Sequence, residues 1–348
     1  MSLLGQPGVS VLLIALGVFL ANAAQTSPAA VSQQAQEQPS DPRAKIRSTV
    51  ELVVVPVTVK DSKGNLVADI RKDEFRIFED GVEQQPTLFS TDAFPLSAVV
   101  LLDDDLKPKA SDQLHKSLLA VAGAFSESDE VALARFASFF TPVMDFTQDN
   151  DKLMTELKRV VSGDESFPDP ESTAPHPTAG GEPIPGAATG PQQAAADKTT
   201  KHVDDALYAA AEVLRGRDRE RRKVIILVSD GVDARSNTHN YDQTLAKLLS
   251  ADVSVYAIGT DAALLRRGAS PLSRYARATG GDTYFVNNAP ALSRAYAQLA
   301  EEARHQYTLA YVPAGTDRTQ NYHSIEVRVR RPGLEVLSRD GYYLARLP

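Results

Sequence analysis

The chain has 348 residues, 43% hydrophobic and 24% charged, the composition of a soluble globular protein with room for one large domain and a smaller one. Lys and Arg number 37 against 45 Asp and Glu, and the net charge of −8 argues against nucleic acid, which demands a concentrated basic surface. The absence of cysteine excludes a structural disulfide, a thiolate nucleophile and a lipid-modified cysteine.

The N-terminus reads as a targeting signal. "GVSVLLIALGVFLANAAQ" is an uncharged apolar run ending in the small-x-small triplet Ala21-Asn22-Ala23, with polar sequence directly after it. This predicts a signal peptide over 1–24 and an exported protein of the periplasm, cell envelope or extracellular space. An uncleaved N-terminal anchor is the alternative, and only that would bring membrane contact. Residues 25–47, rich in Gln, Ser, Pro and Ala, read as a disordered tether. "STVELVVVPVTVKDSKGNLV" alternates apolar and polar residues around a Lys-Gly-Asn turn, and "DEFRIFEDGVEQQPTLFS" repeats that form around Asp80-Gly81. Both are hairpin patterns, placing an N-terminal β segment over 48–94.

From Leu96 strands alternate with helices. "SAVVLLD" carries a continuous apolar run from Ala98 to Leu102, as a strand covered on both faces must. "SDQLHKSLLAVAGAF" carries Leu114, Leu118, Val121 and Phe125 at helical spacing. "EVALARFAS", "TPVMDFTQ", "KVIILVSDG", "DVSVYAIGT" and "GDTYFVNN" read as strands, and "NDKLMTELKRVV" and "VDDALYAAAEVLRG" as helices. The alternation specifies a doubly wound, mostly parallel sheet over 95–305. Within it, 162–200 is poor in large apolar residues and rich in Pro, Gly and Ala, a disordered insertion. Gly280-Gly281 reads as a helix C-cap leading into a strand. The C-terminal segment, 306–348, returns to β. Since a few strands are marginal alone, it is expected to pair with 48–94 in a β-sandwich into which the α/β domain is inserted.

In an open parallel sheet, ligands bind beyond the carboxyl ends of the strands. Asp103, Asp104 and Asp105 end the first strand of that sheet; Asp230 ends another, and Asp233 follows it. Two carboxylate groups therefore converge on one edge, where oxygen ligands suit Mg²⁺, Mn²⁺ or Ca²⁺.

At these residues the chain resembles the von Willebrand factor A (VWA) domain, specifically the bacterial exported type in which that domain sits between β segments. The features that carry the resemblance span about residues 48–346 and include "VKDSKGNLVADIRKDEFRIFEDGVEQ", "PLSAVVLLDDD", "DALYAA", "VIILVSDGVDARS", "LSRYARATGGDTYFV" and "QYTLAYVP". The resemblance implies a domain that binds protein ligands through a metal held by a D-x-S-x-S motif, a threonine and a further aspartate. Here Asp103 keeps the first position, Asp105 and Lys107 replace the serines, Lys201 or Thr200 aligns with the threonine, and Asp230 keeps the last. This is a degenerate MIDAS motif. An ammonium among carboxylates favours their ionised forms as a divalent ion would, so Lys107, and Lys201 beside it, are candidate tethered cations. The alternative is a divalent cation, Mg²⁺ or another, on Asp103, Asp105, Thr200 and Asp230.

Signals for catalysis are sparse. The histidines at 115, 176, 202, 239, 305 and 323 are scattered, and no G-x-S-x-G or phosphate-binding loop is present. The basic run "RGRDRERRK" also contains acids and reads as a solvated helix end. Tyr307, Tyr311, Tyr342 and Tyr343 fall in strands, where aromatics pack on a pleated surface. The sequence thus points to non-catalytic recognition of a protein ligand, through a rim bearing Asp103, Asp105, Lys107, Asp230 and Asp233. A metal-dependent hydrolase on the same aspartates and an architectural envelope protein with an inert rim are the alternatives.

Overall fold

The computed structural model describes residues 52–162, 178–179, 182–183, 201–234, 236–260, 262–266, 270–314 and 319–344. The chain divides into two units, Met1–Ser48 and Thr49–Pro348, and every described residue belongs to the second. The expected signal peptide and tether lie outside the described residues. So does the 162–200 insertion, apart from Ser162 and two short paired strands.

In chain order the elements are β1 (Val53–Lys60), β2 (Phe75–Glu79), β3 (Val82–Gln84), β4 (Pro86–Ser90), β5 (Leu96–Asp103), α1 (Pro108–Ser117), α2 (Leu119–Ala124), β6 (Glu130–Phe136), β7 (Phe140–Thr147) and α3 (Asn150–Ser162). The two short strands β8 (Thr178–Ala179) and β9 (Glu182–Pro183) pair with each other. Then come α4 (Val203–Arg215), β10 (Arg222–Ser229), α5 (Tyr241–Ser250), β11 (Val253–Gly259), α6 (Ala262–Arg266), α7 (Pro271–Ala278), β12 (Thr283–Phe285), α8 (Ala289–Arg304), β13 (Tyr307–Tyr311), β14 (Tyr322–Val329), β15 (Glu335–Ser338) and β16 (Gly341–Tyr343).

The central sheet has the order β12-β11-β10-β5-β6-β7; all neighbours run parallel except β7, which turns back against β6. Period-two alternation sends Leu96, Ala98, Val100 and Leu102 of β5 to one face, among residues of α1, α2, α3 and α8. Val99 and Leu101 go to the other face, among residues of α4, α5 and α7. Every residue of β5 is buried, which explains its unbroken apolar run from Ala98 to Leu102. Each such side chain contributes about 1.5–3 kcal/mol by leaving water, so β5 and β10 are held firmly, and the loops at their ends inherit that rigidity.

Two four-stranded sheets join the chain's ends, β15-β1-β13-β4 and β16-β14-β2-β3. Val55 and Val57 of β1, Ile77 of β2, Leu309 of β13 and Ile325 of β14 meet in one apolar cluster. Asp80 and Gly81 both take positive φ, at 49° and 80°, the backbone that a tight turn between β2 and β3 requires.

Two local expectations are corrected. The first hairpin is cut short: after the turn held by the Asp61 carboxylate, Leu66 makes only an isolated bridge to Lys60. The helix over 111–125 is broken at Leu118, whose N–H donates to His115 O rather than one residue further back. The Ser117 hydroxyl donates to the Leu114 carbonyl at 2.8 Å and competes for the helix's own acceptor. Leu114, Leu118, Val121 and Phe125 are nevertheless all buried.

Candidate functional site

The register that pairs Leu102 with Val228 puts Asp103 beside Ser229 and Asp230, at the carboxyl edge of the two central strands. Ser229 Oγ donates to Asp103 Oδ2 at 2.7 Å and accepts the Gly231 N–H at 3.1 Å. Asp103 Oδ1 accepts the Asp105 N–H at 3.0 Å, and Asp230 Oδ1 accepts the Val232 N–H at 3.0 Å, so each aspartate closes a turn two residues on. Gly231, at φ 67°, makes the turn after Asp230; a Cβ there would come within 2.8 Å of Ser270 Oγ.

Between the two carboxylates sits Lys201. Its Nζ lies 2.9 Å from Asp230 Oδ1 and 3.2 Å from Asp103 Oδ2, and all three residues are buried. The Lys201 carbonyl accepts the Ala234 N–H at 2.7 Å, and the next amide, of His202, donates to Ala137 O at 2.9 Å. One residue therefore ties the ends of β5 and β10 through its side chain, and the loops after β6 and β10 through its backbone. Burial pushes the Asp103 carboxyl above its ordinary pKa and Asp230 adds to this, while Lys201 and the Ser229 hydroxyl pull it back down.

The rest of the rim builds outward from this centre. Asp233 accepts the Val203 N–H at 2.9 Å, placing a carboxylate on the N-terminal turn of α4, where helix polarity favours it. Asp205 accepts the Thr238 and His239 amides at 2.7 and 2.8 Å and the His239 ring at 2.7 Å. Burial alone would raise the Asp205 pKa, but these bonds outweigh it and hold it low. His239 in turn stacks on Tyr208 with 3.7 Å between ring centroids. On the same helix Asp204 is pushed up, first by burial and then by Asp233 and Asp205, and accepts the Tyr275 hydroxyl at 2.6 Å. Asp104 is exposed, 3.5 Å from the Arg135 guanidinium.

Of the residues expected at the site, Asp103 and Asp230 converge and Asp233 borders them. Lys107 does not join them. It is exposed at the N-cap of α1, where Pro108 starts the helix, and makes no ion pair among the described residues. The tethered cation is Lys201, because the approach to α4 crosses the strand ends while α1 leads away from them. The Asp105 side chain is exposed as well, and its backbone amide is what reaches Asp103. Thr200 lies outside the described residues. Ser229, Asp205 and His239 went unrecognised in sequence; only Ser229 had a signal, its place just before the strand-end aspartate.

The geometry does not fit a bound divalent cation. The Asp103 and Asp230 oxygens that face each other are taken by an ammonium, a hydroxyl and an amide. A dication added about 4 Å from that ammonium would be repelled by roughly 8 kcal/mol at an effective dielectric of about 20. A second acidic group, Glu79, Asp80 and His323, has potential ligand atoms within 4.8 Å of one another. Its bonds secure the β2–β3 turn to β14: Asp80 accepts from the His323 ring at 2.7 Å and from the Ser324 N–H at 2.8 Å, and Glu79 accepts the Tyr311 hydroxyl at 2.6 Å.

Residues 192–308 match the model of the von Willebrand factor type A domain, a range that takes in Lys201 and Asp230 and begins beyond Asp103. Among solved structures, a von Willebrand factor type A protein from Catenulispora acidiphila is 8% identical over 84% of this chain and 75% of its own, with a TM-score of 0.42. The conserved hypothetical protein BatB from Bacteroides thetaiotaomicron is 12% identical over 60% of this chain and 98% of its own, with a TM-score of 0.41. Proximal thread matrix protein 1 from the mussel byssus is 13% identical over 62% of this chain, with a TM-score of 0.40, and one of its structures has a zinc-occupied MIDAS motif. The chain spans about half, 49%, of that mussel protein. No curated protein matches the chain.

Proposed function

We infer that this chain, which carries a von Willebrand factor type A domain, is a non-catalytic protein-binding module of an exported protein that engages its partner through the carboxyl edge of the central sheet. One observation carries this reading. The two most exposed large hydrophobic side chains among the described residues, Leu265 at 90% and Phe139 at 69%, both lie in segments that leave that edge. Phe139 is in the turn after β6 and Leu265 in α6, after β11. Large apolar side chains beside a desolvated charged centre are what anchor protein interfaces, with polar groups at the rim. Exposed Asp104, Asp105 and Lys107 supply such polar groups. A non-catalytic role is supported by the state of the two buried aspartates, both held by Lys201.

The flanking strands form a β-sandwich into which the α/β domain is inserted, a reading supported by the single apolar cluster that both four-stranded sheets share. Export rests on the N-terminal apolar run. No helix among the described residues is long and apolar enough to cross a membrane.

The test is capture from native envelope extract on immobilised wild type beside Phe139→Ser/Leu265→Ser, followed by affinity measurement on the purified partner. Binding should weaken by about 30-fold or more, some 2 kcal/mol, in a variant whose melting temperature is unchanged. Equal affinity would remove this edge from consideration. Turnover of a generic phosphoester that disappears in Asp230→Asn would replace recognition by hydrolysis.

A further inference from the structure

We propose that the Lys201 ammonium is a built-in substitute for a divalent cation, so that the strand-end rim holds its shape with no dissociable ion. The proposal goes beyond partner recognition and stands whether or not the rim binds a protein. Asp103 and Asp230 come from different strands, are both buried, and aim one oxygen each at a single Nζ, 3.2 and 2.9 Å away. Among the described residues no other cation touches either carboxylate. Ion-pair geometry alone would make this an ordinary buried bridge. What distinguishes it is the tether: the Lys201 carbonyl is bound by Ala234, and the following amide binds Ala137. The backbone of residue 201 is thus fixed by the loops after β6 and β10, and the charge, being covalently attached there, cannot dissociate from the rim as a free ion can.

A lysine supplies one positive charge where a divalent ion supplies two, and the three groups sum to −1. Removing the side chain would therefore leave two facing carboxylates and the Ser229 hydroxyl around an oxygen-lined space, the donor set that Mg²⁺, Mn²⁺ and Ca²⁺ take. The exchange is reversible by design of the variant: a short hydroxyl residue at 201 vacates the centre and offers a further oxygen.

Isothermal titration of MgCl₂, MnCl₂ and CaCl₂ into the full chain tests this, with wild type beside Lys201→Ser and Lys201→Gln. Wild type should give no saturable heat with any of the three. Lys201→Ser should bind at least one of them, since oxygen donors suit all three, with an affinity gain of at least about tenfold over wild type. Lys201→Ser should also melt lower than wild type in EDTA and recover part of the difference in Mn²⁺. Wild type that binds an ion as tightly as Lys201→Ser overturns the proposal, and so does failure of both substituted chains to bind while remaining folded. Should neither substituted chain fold, wild type decides: a melting temperature equal in EDTA and in Mg²⁺ supports a tethered cation, and a shift on adding Mg²⁺ refutes it.

Discussion

The molecule uses the same device twice, at opposite edges of its central sheet. At the carboxyl edge Lys201 bridges Asp103 and Asp230; at the amino edge Lys60 of β1 bridges Asp282, before β12, and Glu302 of α8, the latter at 2.7 Å. Both lysines are buried. The surroundings differ. Lys60 also donates to the Tyr284 hydroxyl at 3.1 Å, that hydroxyl donates to Glu302, and Lys60 and Glu302 are both buried where β1 meets α8, with Asp282 half-buried beside them. Burial alone would lower the Lys60 pKa, but Glu302 and Asp282 outweigh it and raise it. The edge that holds Lys201 is open, with exposed Asp104 and Asp105 after β5 and exposed Phe139 and Leu265 in segments that leave the same edge. Equal charge arithmetic therefore serves two ends. Enclosed by packing, the bridge joins parts of the fold; left at the end of rigid strands, it organises a surface.

That contrast is broken most severely at Lys60. Lys60→Met leaves Glu302 buried without its cation and should cost about 3–5 kcal/mol in urea unfolding at neutral pH. Mn²⁺ should restore none of it, unlike the loss in Lys201→Ser. The pH dependence has a definite sign. Burial raises the Glu302 pKa, so the stability associated with its protonated form is complete below the ordinary carboxyl value and lost as pH rises through the raised one. The deficit of Lys60→Met should hence narrow on acidification, and a deficit that widens would reverse this account.

Asp129 sharpens the same comparison with a smaller effect. It accepts from the Leu96 and Ser126 amides and from Arg304, all between 2.6 and 2.8 Å, and pins the start of β5. Burial would raise its pKa, yet these bonds prevail and depress it. Asp129→Asn should cost about 2 kcal/mol at neutral pH. Here the sign is opposite: the contribution is present above the ordinary carboxyl value and lost as pH falls through the depressed one, so chevron or urea curves of the two chains should converge in acid.

The smallest effect belongs to the open rim. Asp104→Asn removes an exposed pairing with Arg135 and should change stability by less than about 0.5 kcal/mol. Its consequence should appear instead in the salt dependence of partner association, and a large loss of stability would mean the rim is structural after all.

Legibility followed the range of the forces involved. The two-sided burial of β5 was readable because Ala98 to Leu102 are apolar without interruption, and the hairpin at Asp80-Gly81 because tight turns demand residues tolerant of positive φ. The break at Leu118 was not, since it depends on where the Ser117 hydroxyl points. That Asp103 and Asp230 meet at one edge was readable from strand ends alone. Lys107 was the wrong lysine: proximity in sequence favoured it, while the path of the backbone into α4 delivered Lys201.

By itself, then, the sequence determined the alternation of strands and helices, the sheet edge where acids gather, and the need for a cation there. These follow from local patterns of hydrophobicity and charge, which are carried by neighbouring residues. Tertiary structure alone decided which cation arrives, that Lys60 repeats the arrangement on the far edge, and that Phe139 and Leu265 share the open one. Those outcomes depend on residues brought together across as many as 242 positions, from Lys60 to Glu302, by burial of apolar surface that carries no record of its partners in the local sequence.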